Sequence, residues 1–349
     1  MDKFENRNGR NDGKFSLPTV TFIMPSHNRK NQLERALKAL AVQNYPSELL
    51  DMVLVLDGCS DGSAQMVEAM KPALPYRITL IERAQGGPAA ARNTAVRAAT
   101  GEIILFIDDD IVATPQLVTE HIRLHLEDDQ AVVLAPMATP NDHVRPIWVQ
   151  WEEYALELKY RDMENGRYEP TARQFFTGNC SLRRRWFLAT GEFDEELKRA
   201  EDVEFAFRLE QKCKVHFYFN PSAIGYHYAY RTFESWKRAQ YLYGRYDVIM
   251  DREKGHTWIS KVILEEFLQR DIIVRMLVPL FVNYNWVKGV MGYVFLFGAH
   301  VLKFMGFKRL AFKSLSCFSN ILYWQGLNEE MINGRNTKPT EPALMEVKS

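Results

Sequence analysis

At 349 residues the chain is long enough for one large α/β domain with additions, or for two domains, and can bury a sizeable core. Lys plus Arg and Asp plus Glu both number 44, so there is no net charge. That balance argues against a general nucleic-acid binder and leaves any bound anion to be held by local groups. The four cysteines, Cys59, Cys180, Cys213 and Cys317, lie far apart without paired metal spacing, which predicts reduced thiols. Met1 to Lys14 is polar and carries no apolar run for a signal peptide.

A disordered leader is expected over 1–17. Val20 to Met24 then reads as a strand ending at Pro25, with leucines and alanines at helical spacing from Asn31 to Gln43. Met52 to Leu56 is a second apolar run ending at Asp57, followed by a helix over Ser63 to Met70 and a strand over Tyr76 to Glu82. Pro88 opens an alanine-rich helix reaching Thr100, and Glu102 to Ile107 is the fourth strand. Strands alternating with helices of this length predict right-handed βαβ units and a mainly parallel sheet. A helix around Gln116 to Leu126 and a strand around Ala131 to Ala135 extend the pattern. It breaks over Pro140 to Arg173, where a helix is expected from Trp148 to Tyr160, and resumes from Phe175 through a strand at Val215 to Phe219. These signals divide 18–250 into a nucleotide-sized half, 18–138, and an acceptor half, 139–250.

Three consecutive carboxylates, Asp108, Asp109 and Asp110, follow the apolar run Ile103 to Ile107. Neighbouring carboxylates repel one another and raise each other's pKa unless a cation sits among them, and oxygen ligands of this kind suit Mg²⁺ or Mn²⁺. In open α/β sheets the crevice beyond the strands' carboxyl ends is where ligands bind. A turn and helix cap is the plain alternative. Phosphoryl transfer through a strand-end aspartate also fits the triplet, although such a site normally opens its domain, and here three strand signals come first.

The motifs in order resemble the family 2 glycosyltransferases, which share the GT-A nucleotide-sugar-binding fold. Met24-Pro25-Ser26-His27-Asn28-Arg29 is similar to the family's strand-end Pro-Ser/Thr-Tyr-Asn-Arg, with His27 in place of tyrosine. The resemblance implies that Pro25, His27, Asn28 and Arg29 cup the uracil and ribose of a donor. Asp57-Gly58-Cys59-Ser60-Asp61-Gly62-Ser63 is similar to the family's Asp-Gly-Ser-x-Asp-Gly-Thr loop, which makes Asp57 an acceptor for the base. Gly86 to Asn93 resembles the Gly-x-x-x-Ala-Arg-Asn run and places Arg92 one turn inside a helix, 16 residues before Asp108. An arginine there needs anions. The triplet matches Asp-x-Asp, implying that Asp110 binds Mn²⁺ or Mg²⁺ while Asp108 and Asp109 face the nucleotide sugar.

Thr177-Gly178-Asn179-Cys180-Ser181 resembles the Gly-Asn loop beside the donor sugar, with Gly178 and Asn179 as contacts. Glu201-Asp202-Val203-Glu204 resembles the Glu-Asp signature that opens a helix. It implies that Asp202 is the general base of an inverting displacement and that Glu201 positions the acceptor; acidic residues favoured by a helix dipole are the alternative. His227 is a candidate second metal ligand or else a packed core histidine.

From Ile272 to Asn328 there is no Asp or Glu, while Arg275, Lys288, Lys303, Lys308, Arg309 and Lys313 are spread among 12 aromatic residues. The charge-free stretch Gly289 to Leu302 has 14 residues, short for a span of roughly 20. The composition predicts a helical region over 251–333 lying in a membrane interface, followed by a disordered tail over 334–349. A span from Met276 to Leu302 kinked at Pro279, packing on the catalytic domain, and a dimer interface are the alternatives.

The resulting expectation is an α/β, GT-A, inverting glycosyltransferase of EC class 2.4. It would take a nucleotide-diphosphate sugar, UDP-linked by preference, and a divalent metal. The acceptor would be a saccharide or lipid-linked hydroxyl in exopolysaccharide or cell-envelope assembly, reached from the cytoplasmic face of a membrane to which the protein is peripherally attached. Phosphoryl transfer and non-catalytic carbohydrate binding are the competing classes.

Overall fold

The computed structural model describes residues 16–253, 255, 258–284, 286 and 289–335. Nearly all of the expected leader 1–17, most of the tail 334–349, and Lys288 lie outside the described residues. In chain order the first half runs β1 (Val20–Ser26), α1 (Lys30–Leu40), β2 (Leu50–Asp57), α2 (Ser63–Met70), β3 (Arg77–Arg83), α3 (Pro88–Ala98), β4 (Ile103–Ile107), β5 (Ile111–Ala113), α4 (Leu117–Glu127), β6 (Ala131–Leu134) and β7 (Met137–Ala138). The second half runs α5 (Ile147–Glu164), β8 (Asn179–Arg183), α6 (Arg184–Thr190), α7 (Glu201–Cys213), β9 (His216–Phe219), β10 (Gly225–His227), α8 (Phe233–Glu253), α9 (Trp258–Leu268), α10 (Ile272–Phe281), α11 (Val290–Phe304) and α12 (Lys308–Arg335).

The main sheet has seven strands in the order β3-β2-β1-β4-β8-β6-β9. Only β8 runs against the rest, pairing antiparallel with both β4 and β6. Side chains alternate faces at period two, and the sequence satisfies both faces with apolar residues. Phe22, Leu54 and Leu105 pack with Leu33 and Leu37 of α1 on one side. Ile23, Val55 and Phe106 pack with Ala91, Ala95 and Phe205 of α3 and α7 on the other. The chain leaves β1 for β2 on one side and for β4 on the other, so the strand order reverses at β1. The crevice at the carboxyl ends of β1 and β4 is where such sheets hold ligands.

A second sheet of three strands, β5-β10-β7, stands at that crevice. Its antiparallel β5–β10 ladder puts His227 opposite Ile111, next to the aspartate triplet.

The C-terminal helices form their own core around Trp236, Val278, Phe318 and Ile321. An added Cβ at Gly244 would meet the Tyr323 carbonyl, and one at Gly326 would meet the Tyr241 carbonyl, so α8 and α12 touch backbone to backbone. The expected domain boundary at residue 250 falls inside α8, which packs in this bundle. Among the described residues no helix is long and apolar enough to cross a membrane, and α10 ends at Phe281, so the stretch Met276 to Leu302 is not one continuous helix.

Candidate active site

The triplet forms the turn between β4 and β5, closed by Ile111 N–H donating to the Asp108 carbonyl at 3.1 Å. Its three carboxylates are held by Arg92, Ser26 and Arg29. Asp108 Oδ1 accepts from Arg92 Nη2 at 2.8 Å. Asp109 is buried and accepts from Ser26 Oγ at 2.7 Å and Arg29 Nη1 at 2.9 Å. Asp110 Oδ2 accepts from the same Arg29 nitrogen at 2.9 Å. Burial pushes Asp109 up to about 6 against the opposing pull of Arg29. Asp109 therefore braces the β1–α1 loop through Ser26 and Arg29.

Asp110 Oδ1 is buried and has no hydrogen-bond partner, and His227 Nε2 stands 3.5 Å from it. Burial opposes ionisation of Asp110, yet the imidazole and then Arg29 hold its carboxyl below the ordinary range. Burial equally opposes an imidazolium, and Asp110 raises His227. An unsatisfied buried oxygen facing an imidazole nitrogen fits a divalent cation held by one carboxylate and one histidine. Among the described residues no group of three or more His, Cys, Asp or Glu is arranged to hold a metal. The remaining positions on such an ion would fall to phosphate oxygens and water, as is usual for Mg²⁺-type sites.

Arg92 joins the triplet to the opposite wall. Buried in α3, it gives Nη1 to Glu201 Oε1 at 3.0 Å and Nη2 to Asp108. One guanidinium thus spans from the end of β4 to the first turn of α7. Glu201 is buried under this contact and holds Arg92 in place. Asp202 turns the other way, half-buried, with Oδ1 accepting from Val203 N–H at 2.9 Å. Burial first and Glu201 second push Asp202 up to about 7, with Arg92 opposing. Ala200, just before it, is held at φ 59°, a conformation that costs a non-glycine residue about 1–2 kcal/mol and here sets the start of α7.

The two nucleotide-side loops are tied together. His27 Nδ1 meets the Asp57 carbonyl at 2.6 Å, and Asn28, in the left-handed region at φ 50°, accepts from Ser60 N–H at 2.8 Å. Pro25 is half-buried in the last turn of β1, next to these contacts. The Asp57 carboxylate is spent on the backbone. Its two oxygens accept from Gly86 N–H at 2.9 Å and Gly87 N–H at 2.8 Å, clamping the turn before α3.

Asn179 is held in a buried network. It lies at the start of β8 opposite Ile107, buried, with Nδ2 donating to the Pro136 and Ala223 carbonyls at 2.9 Å each. Its Oδ1 meets His121 Nε2 at 3.0 Å; His121 Nδ1 and His125 Nε2 in turn share Ser181 Oγ at 2.9 and 2.8 Å. Burial pushes both imidazoles down, His121 to about 4 and His125 to about 3, so this network is neutral. Asn179→Ala would strand a histidine N–H and two carbonyls, and is expected to lower unfolding free energy in urea by about 3 kcal/mol. Gly178 is required by close approach, because a Cβ there would meet Met137 Sδ and lie 3.3 Å from Asp108 Oδ2.

Four residues without a sequence signal, Glu152, Arg199, Arg231 and Tyr243, cluster near Asp202. Burial pushes the Tyr243 phenol up, and the charges acting on it are Arg199, Arg231, Asp202 and Glu152. Arg231 pairs with Glu152 at 2.9 Å, and Arg199 lies over the Tyr243 ring at 6.0 Å. They sit on α5, on α8 and in loops, with no motif to mark them.

This architecture, a mainly parallel sheet with an acidic turn at the switch point and a second carboxylate across the cleft, is that of a GT-A fold. Residues 21–190 match the model of Glycosyl transferase family 2. It is 28% identical over 268 residues to the poly(ribitol-phosphate) beta-N-acetylglucosaminyltransferase TarS of Staphylococcus aureus strain MW2, covering 74% of this chain and 44% of that protein. It is 33% identical over 238 residues to the uncharacterized glycosyltransferase YfnE of Bacillus subtilis strain 168, covering 55% of this chain and 60% of that one. The chain thus spans less than two thirds of the length of either relative. A similar solved structure is mannosyltransferase PcManGT from Pyrobaculum calidifontis in complex with GDP-Man and Mn²⁺, with TM-score 0.60, 17% identity and coverage of 91% of this chain and 88% of that one.

Proposed function

We propose that this protein is an inverting glycosyltransferase that moves a sugar from a nucleotide-diphosphate sugar, UDP-linked by preference, to a hydroxyl of a saccharide or lipid-linked acceptor in polysaccharide or envelope assembly. The observation that carries the reading is the Arg92 bridge, which sets Asp108 and the Glu201–Asp202 pair within the reach of one guanidinium. The loops holding His27, Asn28 and Gly86 would receive the nucleoside. Asp110 and His227 would hold Mn²⁺ or Mg²⁺, which supplies Lewis-acid neutralisation of the departing diphosphate. Arg29, now spanning Asp109 and Asp110, is placed to donate to phosphate oxygens.

Asp202, with its acidity near neutral, takes the proton from the acceptor hydroxyl as that oxygen attacks the anomeric carbon from the face opposite the diphosphate. Attack from the opposite face inverts the anomeric configuration. The wall of Glu152, Arg199, Arg231 and Tyr243 lines the acceptor's approach.

Thermal unfolding with a panel of nucleotide sugars, with and without Mn²⁺, tests the reading, since a ligand bound only to the folded state raises the melting temperature. Stabilisation that needs donor and metal together is expected; none with any donor would reject the proposal.

A further inference from the structure

Helices α10 and α11 present their apolar residues outward. On α10, Ile272, Met276 and Leu280 recur every fourth residue and are exposed, while Val274 and Val278 face the bundle. On α11, Val290, Tyr293, Val294, Phe297, Val301 and Phe304 form one exposed stripe, while Gly292 and Ala299 are buried. A helix surrounded by water shows the reverse pattern, with polar residues outside. The stripe runs into a rigid turn. Gly306 at φ 86° closes α11, with Gly306 N–H bonded to Lys303 O at 3.0 Å and Phe307 N–H to Leu302 O at 2.8 Å. That turn holds Phe304 at 94% exposure, with Met305, Phe307 and Leu310 also exposed.

Charge decides what covers this face. Lys303, Lys308 and Arg309 are exposed around the turn, neither Lys308 nor Arg309 is in an ion pair among the described residues, and no acidic residue occurs from Ile272 to Asn328. A second copy docking through the same face would bring like charges together. An anionic bilayer supplies both complements, an apolar interior for the phenylalanines and acidic headgroups for the cations. Exposed Tyr284, Trp286 and Tyr293 suit the headgroup level.

We propose that the outer faces of α10 and α11, with the turn at 305–310, dock the protein on an anionic lipid bilayer. The inner side of this surface packs on α5 through Ile147, Trp148, Trp151, Ala299 and Phe312, and α5 carries Glu152 of the acceptor wall. Resting on the function proposed above, that connection would present the cleft to acceptors at the membrane; the docking itself does not depend on that reading.

Co-sedimentation of the full chain with vesicles of phosphatidylglycerol and phosphatidylcholine in equal parts, against phosphatidylcholine alone, tests it without any activity measurement. Binding to the anionic vesicles is expected, with partitioning about tenfold weaker on neutral vesicles or at high salt. Phe304→Ser with Phe307→Ser, and separately Lys308→Glu with Arg309→Glu, should each reduce it about tenfold at unchanged melting temperature. Absence of binding, or binding untouched by both double variants, would overturn the proposal. So would a concentration-dependent dimer in lipid-free buffer that Phe304→Ser dissolves, which would assign the face to a second copy.

Discussion

Asp202→Asn is expected to lower kcat by about 10²–10⁴ while leaving donor affinity unchanged, the range for loss of a positioned general base. Burial and Glu201 push Asp202 up to about 7, so the wild-type rate should rise with pH through that value as the carboxyl ionises. The stability sign is opposite. A carboxyl whose folded pKa is raised contributes stability that is complete below its ordinary pKa of about 3.9 and is lost as pH rises through about 7. The Asn variant escapes that loss, so above neutral pH its melting temperature should equal or exceed the wild type's. An inactive variant that is also destabilised at high pH would mark Asp202 as a structural residue.

The second large effect is at Arg92. Replacing it with Met leaves Glu201 buried without its partner, and breaking one side of a buried ion pair costs about 3–5 kcal/mol. Denaturant unfolding reads this directly. Activity should fall as well, because Asp108 and α7 lose their common strut. In whatever activity remains, the acid limb should move to higher pH, since Arg92 is the cation that draws the Asp202 pKa down. The double replacement Arg92→Met with Glu201→Gln should recover part of the stability and return the limb toward lower pH, because the Glu201 charge that pushes Asp202 up is gone too. A limb that stays in place in the Arg92→Met single variant would separate Arg92 from Asp202.

The sheet was legible because its central strands are buried on both faces and end at turn residues. Val20, Met52 and Ile103 begin apolar runs too short for helices, and the helix Ser63–Met70 has the expected limits. The small sheet was not, because β7 has two residues and β5 and β10 have three each, too few for a period to show. Yet that sheet is what carries His227 to Asp110.

Within the site, the motifs marked the right neighbourhoods but not the direction of each side chain. Glu201 and Asp202 are adjacent on a helix, so their side chains diverge by about 100°; one meets Arg92 and the other accepts from the Val203 amide. Asn179 sits in a motif that reads as a loop, but pairing of β8 with β4 turns it inward to His121. Asp57 points at the crevice from the end of β2, where the nearest donors are the Gly86 and Gly87 amides. Conversely, Arg199, Arg231 and Tyr243 converge only through the packing of α8 against the catalytic core, and nothing local announces them.

Calorimetric titration of a UDP-sugar into the wild-type, Asp110→Asn and Asp202→Asn proteins, with and without Mn²⁺, bears most directly on the shared cleft. Metal-dependent binding by wild type and by Asp202→Asn, with its loss in Asp110→Asn, is the predicted outcome. Equal binding by all three proteins without metal would contradict it.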